Sequence, residues 1–296
     1  MRRLPDPGWE HYTLYTNVRE AVASLPIYFR TETHISGVMA TDLHTLNSVL
    51  GATIEEQVVR TLNLLRNTWD PDDRYTLYSF VRQPQTFPDV RLRKTVTDET
   101  LLGIELKGWY LLAKEEEPSS RFKTTAAACT PQDLLVIVPW VLGNVISGSP
   151  MLFGPFVESA RFAAEYRNYW WQHVRDAKSD TAIDVPSGVG PYPAKADQVL
   201  DRPRSDSGGN FGRLARTGMM NDYKQTLDEL PLCGIRTIYW RQFLKAFQES
   251  TSEAEARVAI DRLRSRIRQE AAIPSAKGQA ALTILAELEQ LLDLPG

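Results

Sequence analysis

The sequence predicts an α/β protein in which a mixed central sheet is flanked by helices and followed by a helical C-terminal part. Three observations carry this expectation. Leu46, Leu50, Ile54, Val58, Leu62 and Leu65 recur at spacings of three and four, the period of a helix with one buried face. Three β-type stretches come next, RYTLYSFVRQ, FPDVRLRKTV and LLGIELKGWYLLA. After a polar excursion, DLLVIVPWVL is a continuous apolar run of the kind shown by a strand covered on both faces.

Taken in order, residues 1–40 read as a mixed lead-in, with LPIYFRTETHISGV as one short strand. The first strong helix starts near Asp42, with Thr41 or Asp42 as its cap, and Trp69-Asp70-Pro71 stops it. The three β stretches and a short connecting element lead to the buried strand. PFVESARFAAEYRNYWWQHVRDAKSD reads as a helix with Val157, Phe162 or Ala163, Tyr166 and Trp170 on one side. Residues 180–212, rich in Pro, Gly, Ser and Asp, are long enough for a functional loop or a partly disordered one. MMNDYKQTLDEL and IRTIYWRQFLKAF restart regular structure, and 252–292 give two amphipathic helices split at AAIPSAKG. The expected division is a core over 1–150 and a mostly helical part over 151–296, packed together as one unit.

Composition narrows the function classes. Of 296 residues, 43% are apolar and 24% charged, as in ordinary globular chains. No apolar run is long enough to span a bilayer, and MRRLPDPGWEHYTLY lacks the apolar core of a signal peptide, so a cytoplasmic protein is expected. The two cysteines, Cys129 and Cys233, cannot build a disulfide framework or a four-thiolate zinc site. His11, His34, His44 and His173 show no metal-ligand spacing. Without GxxxxGK[ST], no nucleotide-driven motor is implied. The net charge of −3 argues against non-specific coating of nucleic acid, but leaves room for a basic cleft offset by acids elsewhere.

Within the second and third β stretches, Pro88-Asp89 is followed, after fifteen intervening residues, by Glu105-Leu106-Lys107. Glu105 and Lys107 share one strand face, where a carboxylate and an ammonium are costly unless paired or used. This is the PD-(D/E)xK signature, and from Asp42 to Val141 the chain resembles the restriction-endonuclease-like nucleases. Their core runs helix, three-strand meander, helix and further strand. The resemblance implies a Mg²⁺ site with Asp89, Glu105 and the main-chain carbonyl of Leu106 as protein ligands. It also implies that Lys107 sits beside the scissile phosphate, orienting or deprotonating the attacking water. The family's first helix often adds a glutamate, here Glu55 or Glu56. Glu55 borders the buried stripe, whereas Glu56 is rotated toward solvent.

Such a site sets a condition on register. Asp89 can face Glu105 and Lys107 only if paired residue numbers across the hairpin have an even sum. A loop centred on Asp98 sets Asp89 opposite Lys107, and one centred on Thr97 sets it opposite Glu105. A two-residue Asp98-Glu99 turn puts it opposite Gly108, on the wrong face. An odd-membered loop or a bulge is therefore required. Arg121 and Lys123 are candidate phosphate contacts. So are Arg213 and Arg216, which follow the Gly-rich turn Ser207-Gly208-Gly209-Asn210 in a locally basic segment that also holds Arg202 and Arg204. The expected function is Mg²⁺-dependent, site-specific cleavage of double-stranded DNA by a homodimer of the type II restriction kind, with no nucleotide cofactor. The alternatives are a structure-specific repair or phage-defence nuclease, and a non-catalytic DNA-binding member of the fold.

Overall fold

The computed structural model describes residues 1–37, 46–83, 85–113, 115–176, 180–245, 252–270, 282–286 and 289. Thr41 and Asp42, the expected cap, lie outside them. Helices α1 (Tyr12–Ala23), α2 (Leu25–Tyr28), α3 (Leu46–Leu64) and α4 (Arg66–Trp69) come first. Among the described residues, the strand expected within LPIYFRTETHISGV is absent. Pro26 falls in the first turn of α2, where its fixed φ favours helix, and only Ile35 makes a β-bridge, to Gly148.

Strands β1 (Tyr78–Arg82), β2 (Val90–Lys94), β3 (Thr100–Tyr110) and β4 (Leu134–Leu142) then build a mixed sheet, antiparallel up to β3 and parallel between β3 and β4. All nine residues of β4 are buried, as its unbroken apolar run predicted. Among the described residues, the crossover from β3 to β4 contains one 3-10 turn, Ala126–Ala128, where the resembled family has a full helix. Strands β5 (Pro150–Leu152) and β6 (Phe156–Ser159) both pair with the far edge of β4, one at each end. The sheet thus crosses residue 150, and the part beyond that boundary begins with strands.

Residues 156–159 correct the expected helix. The backbone of buried β4 needs hydrogen-bond partners along its second edge, and this demand outweighs the helical pattern there. Helix α5 (Ala160–Tyr169) starts only after Ser159, whose Oγ accepts the Phe162 N–H at 3.2 Å. Further on lie the β-pair β7 (Ile183–Asp184) with β8 (Arg202–Pro203), α6 (Asn221–Glu229), β9 (Pro231–Leu232) with β10 (Ile235–Arg236), α7 (Thr237–Lys245) and α8 (Glu253–Glu270). The AAIPSAKG break lies outside the described residues.

Both faces of the sheet are covered. Ile54, Val58 and Leu62 of α3 join Leu102, Ile104, Leu134 and Val136 in the main core. On the opposite face Ala160, Ala163 and Ala164 of α5 pack on Leu135. Asn63 ties α3 to β1, donating to Phe80 O and accepting from Phe80 N, each at 2.9 Å.

Gly103 of β3 is needed as glycine because Pro88 lies on it. A Cβ there would sit 2.3 Å from Pro88 Cγ and 3.0 Å from Asp133 Oδ1. Asp133 is fully buried and accepts from Gly103 N and Thr130 N, both at 2.7 Å, and from Tyr192 OH at 2.9 Å. Gly103→Ala is therefore expected to cost about 1–3 kcal/mol, as overpacking does, and to push Pro88 and its neighbour Asp89 out of place. Urea unfolding measures the first effect. An unchanged midpoint would show that the strand yields freely.

Candidate active site

The hairpin register meets the parity condition. Val90 pairs with Ile104, Arg91 with Gly103 and Leu92 with Leu102. Continued by one residue, this ladder sets Asp89 opposite Glu105. Nearer the turn, Arg93 pairs with Thr100, and Lys94 N–H donates to Glu99 O at 2.8 Å. The loop itself is even-membered, and a bulge at Leu101 supplies the missing residue. Leu101 and Leu102 are both buried, at 5% and 0% exposure, because the sheet is covered on both faces.

Three charged side chains converge on that face. Lys107 Nζ lies 2.7 Å from Glu105 Oε1 and 3.2 Å from Asp89 Oδ2. Asp89 Oδ2 also accepts the Leu106 N–H at 2.9 Å. Lys107 shares a small apolar cavity with Phe122, Leu135, Ile137 and Leu214, which confines its stem. Glu105 Oε2 is buried and has no hydrogen-bond partner among the described residues.

Electrostatics follow from this burial. Burial, with Asp89 adding to it, pushes Glu105 up to about 7 against the opposing pull of Lys107. Burial alone would lower Lys107, but Glu105 and Asp89 outweigh it and hold the ammonium above its ordinary value. Glu55 is also raised, first by burial and then by the charge of Asp89, while Arg82 contacts it at 3.1 Å. Glu56 instead pairs with Arg60 at 3.7 Å in solvent. Of the two glutamates, Glu55 is the one within electrostatic reach of the site.

A pH dependence is expected from Glu105. Its folded-state value lies above the ordinary 4.5, so folding favours the protonated form. That contribution is complete below about pH 4.5 and is lost as pH rises through about 7. In EDTA, the wild type should lose stability relative to Glu105→Gln across this window. Urea midpoints of both proteins at several pH values read the difference, and parallel curves would contradict it.

The two carboxylates open onto a cleft of about 370 Å³ whose lining includes Thr86, Asp89, Glu105, Thr124, Lys195 and Arg202. Lys195 carried no signal beyond being a lone cation in a long loop. Arg121 and Lys123 are not part of this lining. Arg121 is exposed with its guanidinium against Gly209, and Lys123 packs on Gly212. Arg213, just before a 3-10 turn over Leu214–Thr217, and Arg216, within it, both turn to Glu117, at 3.8 and 2.6 Å. Trp171, in the aromatic run after α5, is buried edge-on against Phe211.

Among the described residues there is no group of three or more His, Cys, Asp or Glu side chains placed to hold a metal ion. No described helix is long and apolar enough to cross a membrane. No protein-family model matches the chain, and no curated protein matches it.

Proposed function

We propose that the chain is a Mg²⁺-dependent DNA endonuclease with a restriction-endonuclease-like core, acting site-specifically as a homodimer of the type II kind. The observation that carries this reading is the bulge-set register, which brings Asp89, Glu105 and Lys107 together, with the two carboxylates lining a cleft. Mg²⁺ keeps several waters and needs only one or two protein carboxylates besides a phosphate, so a pair of acids is a sufficient donor set. The buried, unpartnered Oε2 of Glu105 fits such an ion, because a carboxylate oxygen out of water calls for a donor or a cation.

Asp89, Glu105 and the Leu106 carbonyl would hold the ion. When bound, Mg²⁺ supplies charge neutralisation at the phosphate and a more acidic water. Lys107, kept protonated by its two neighbours, donates hydrogen bonds and positive charge at the reacting phosphate in preference to removing a proton. Glu55, steered by Arg82, borders the site from α3 and helps position the groups around Asp89. Arg121, Arg213 and Arg216 surround the 207–212 turn with more positive charge than Glu117 offsets, which suits contact with the DNA backbone. Two copies of the chain would present two such sites to the two strands of a duplex.

Incubation with plasmid and phage DNA tests the proposal. Discrete bands with Mg²⁺ and none with EDTA are expected. A smear would replace site-specific with non-specific cutting, and intact DNA under every metal would overturn the reading.

A further inference from the structure

We infer that residues 193–202 form a phosphate-binding wall of the cleft, in which Lys195 and Arg202 hold backbone phosphates of the nucleic-acid strand beside the carboxylates. The inference rests on the nuclease reading for its ligand, a phosphodiester strand, and on separate residues for its argument.

Both cations line the same cleft as Asp89 and Glu105, and both are exposed. Among the described residues neither makes an ion pair or a side-chain hydrogen bond. The nearby Arg204, by contrast, is matched to Asp184 at 3.3 Å, and Arg216 to Glu117 at 2.6 Å. Lys107 is already committed to two carboxylates. A polyanion approaching Asp89, Glu105 and Asp197 meets like charge, so the cleft needs further cations to admit it.

The backbone of this wall is fixed. Thr125 N–H donates to Val199 O at 2.7 Å and Asp201 N–H to Lys123 O at 2.9 Å, with Leu200 bridged to Thr124 between them. Asp201 is fully buried, in an ion pair with Arg167 and accepting from Asn168 at 2.7 Å. Arg167 in turn donates to Phe122 O at 2.7 Å and Thr124 O at 3.1 Å. Successive residues of an extended chain point to opposite sides, so anchoring Asp201 inward sends Arg202 outward. At the other end, Asp197 closes a turn on Ala194, its Oδ2 accepting the Ala194 N–H at 2.8 Å and its N–H donating to Ala194 O at 3.0 Å. This turn carries Lys195 at its tip. Two unmatched cations on a braced segment lose little freedom when they meet phosphates.

The test uses the full chain and a fluorescent duplex in EDTA, with cleavage in Mg²⁺ scored separately. The double variant Lys195→Ala/Arg202→Ala should fold as the wild type, because both side chains are exposed. It should bind every duplex sequence about tenfold or more weakly and flatten the plot of log affinity against log salt by about two units. If the wild type cuts and the variant binds and cuts equally well, the wall is a bystander and the nuclease reading stands. If the wild type binds but never cuts, the nuclease reading fails, while a flattened salt slope in the variant still supports the wall. Weakening confined to one sequence would assign the pair to base edges and overturn the phosphate assignment, and absence of any DNA binding would overturn both.

Discussion

Lys107→Ala is expected to lower the cleavage rate by roughly 10²–10³-fold or more while leaving duplex affinity within a few-fold of wild type. The ammonium stands 2.7 Å from one carboxylate and 3.2 Å from the other, where a phosphate oxygen approaching the acids would meet it. Charge on a phosphoryl group grows in the transition state, so a fixed cation there contributes more to the rate than to ground-state binding. The variant also leaves Asp89 and Glu105 facing each other without their shared partner. It should therefore be compared with wild type by thermal melting before rates are interpreted. A folded variant with full activity would remove Lys107 from the mechanism.

Arg167→Ala should cost about 3–5 kcal/mol of stability, the range for breaking a buried pair from one side. The substitution strands the fully buried Asp201 carboxylate and frees the Phe122 and Thr124 carbonyls. Burial already pushes Arg167 down to about 10, with Asp201 pulling it back up, so the guanidinium depends on that partner. Replacing both residues with apolar ones, as in Arg167→Met/Asp201→Leu, should recover much of the loss, because no charge is then left buried alone. Denaturant midpoints of the single and double variants decide this. Equal destabilisation in both would show that packing, and not the charge, is what Arg167 supplies.

The sheet and the site were legible in the sequence to different depths. Residues 46–65 and 134–142 declared themselves because one period or one unbroken apolar run leaves little choice. The cluster of Asp89, Glu105 and Lys107 was legible as a conditional statement, since parity dictated a bulge or an odd loop, though not where the bulge lies. Leu101 and Leu102 look alike in sequence, and only the pairing shows that one of them is supernumerary. Residues 156–159 were misread because local pattern cannot report an unpaired edge on β4. The Arg167–Asp201 pair was invisible for a related reason. A buried arginine and a surface one have the same letters, and their partners are 34 residues apart. Lys195 joins the cleft only through the same long-range anchoring.

The bulge at Leu101 has a practical side for anyone wishing to alter this molecule. It separates the ladder that sets Asp89 against Glu105 from the tip of the hairpin, so the tip can be rebuilt without re-phasing the acids. Val96 is 81% exposed, and the loop there joins strands already locked below it. A short epitope or a fluorophore-bearing peptide placed between Val96 and Thr97 should be carried as passive cargo, a handle for immobilising or tracking the protein with its chemistry intact.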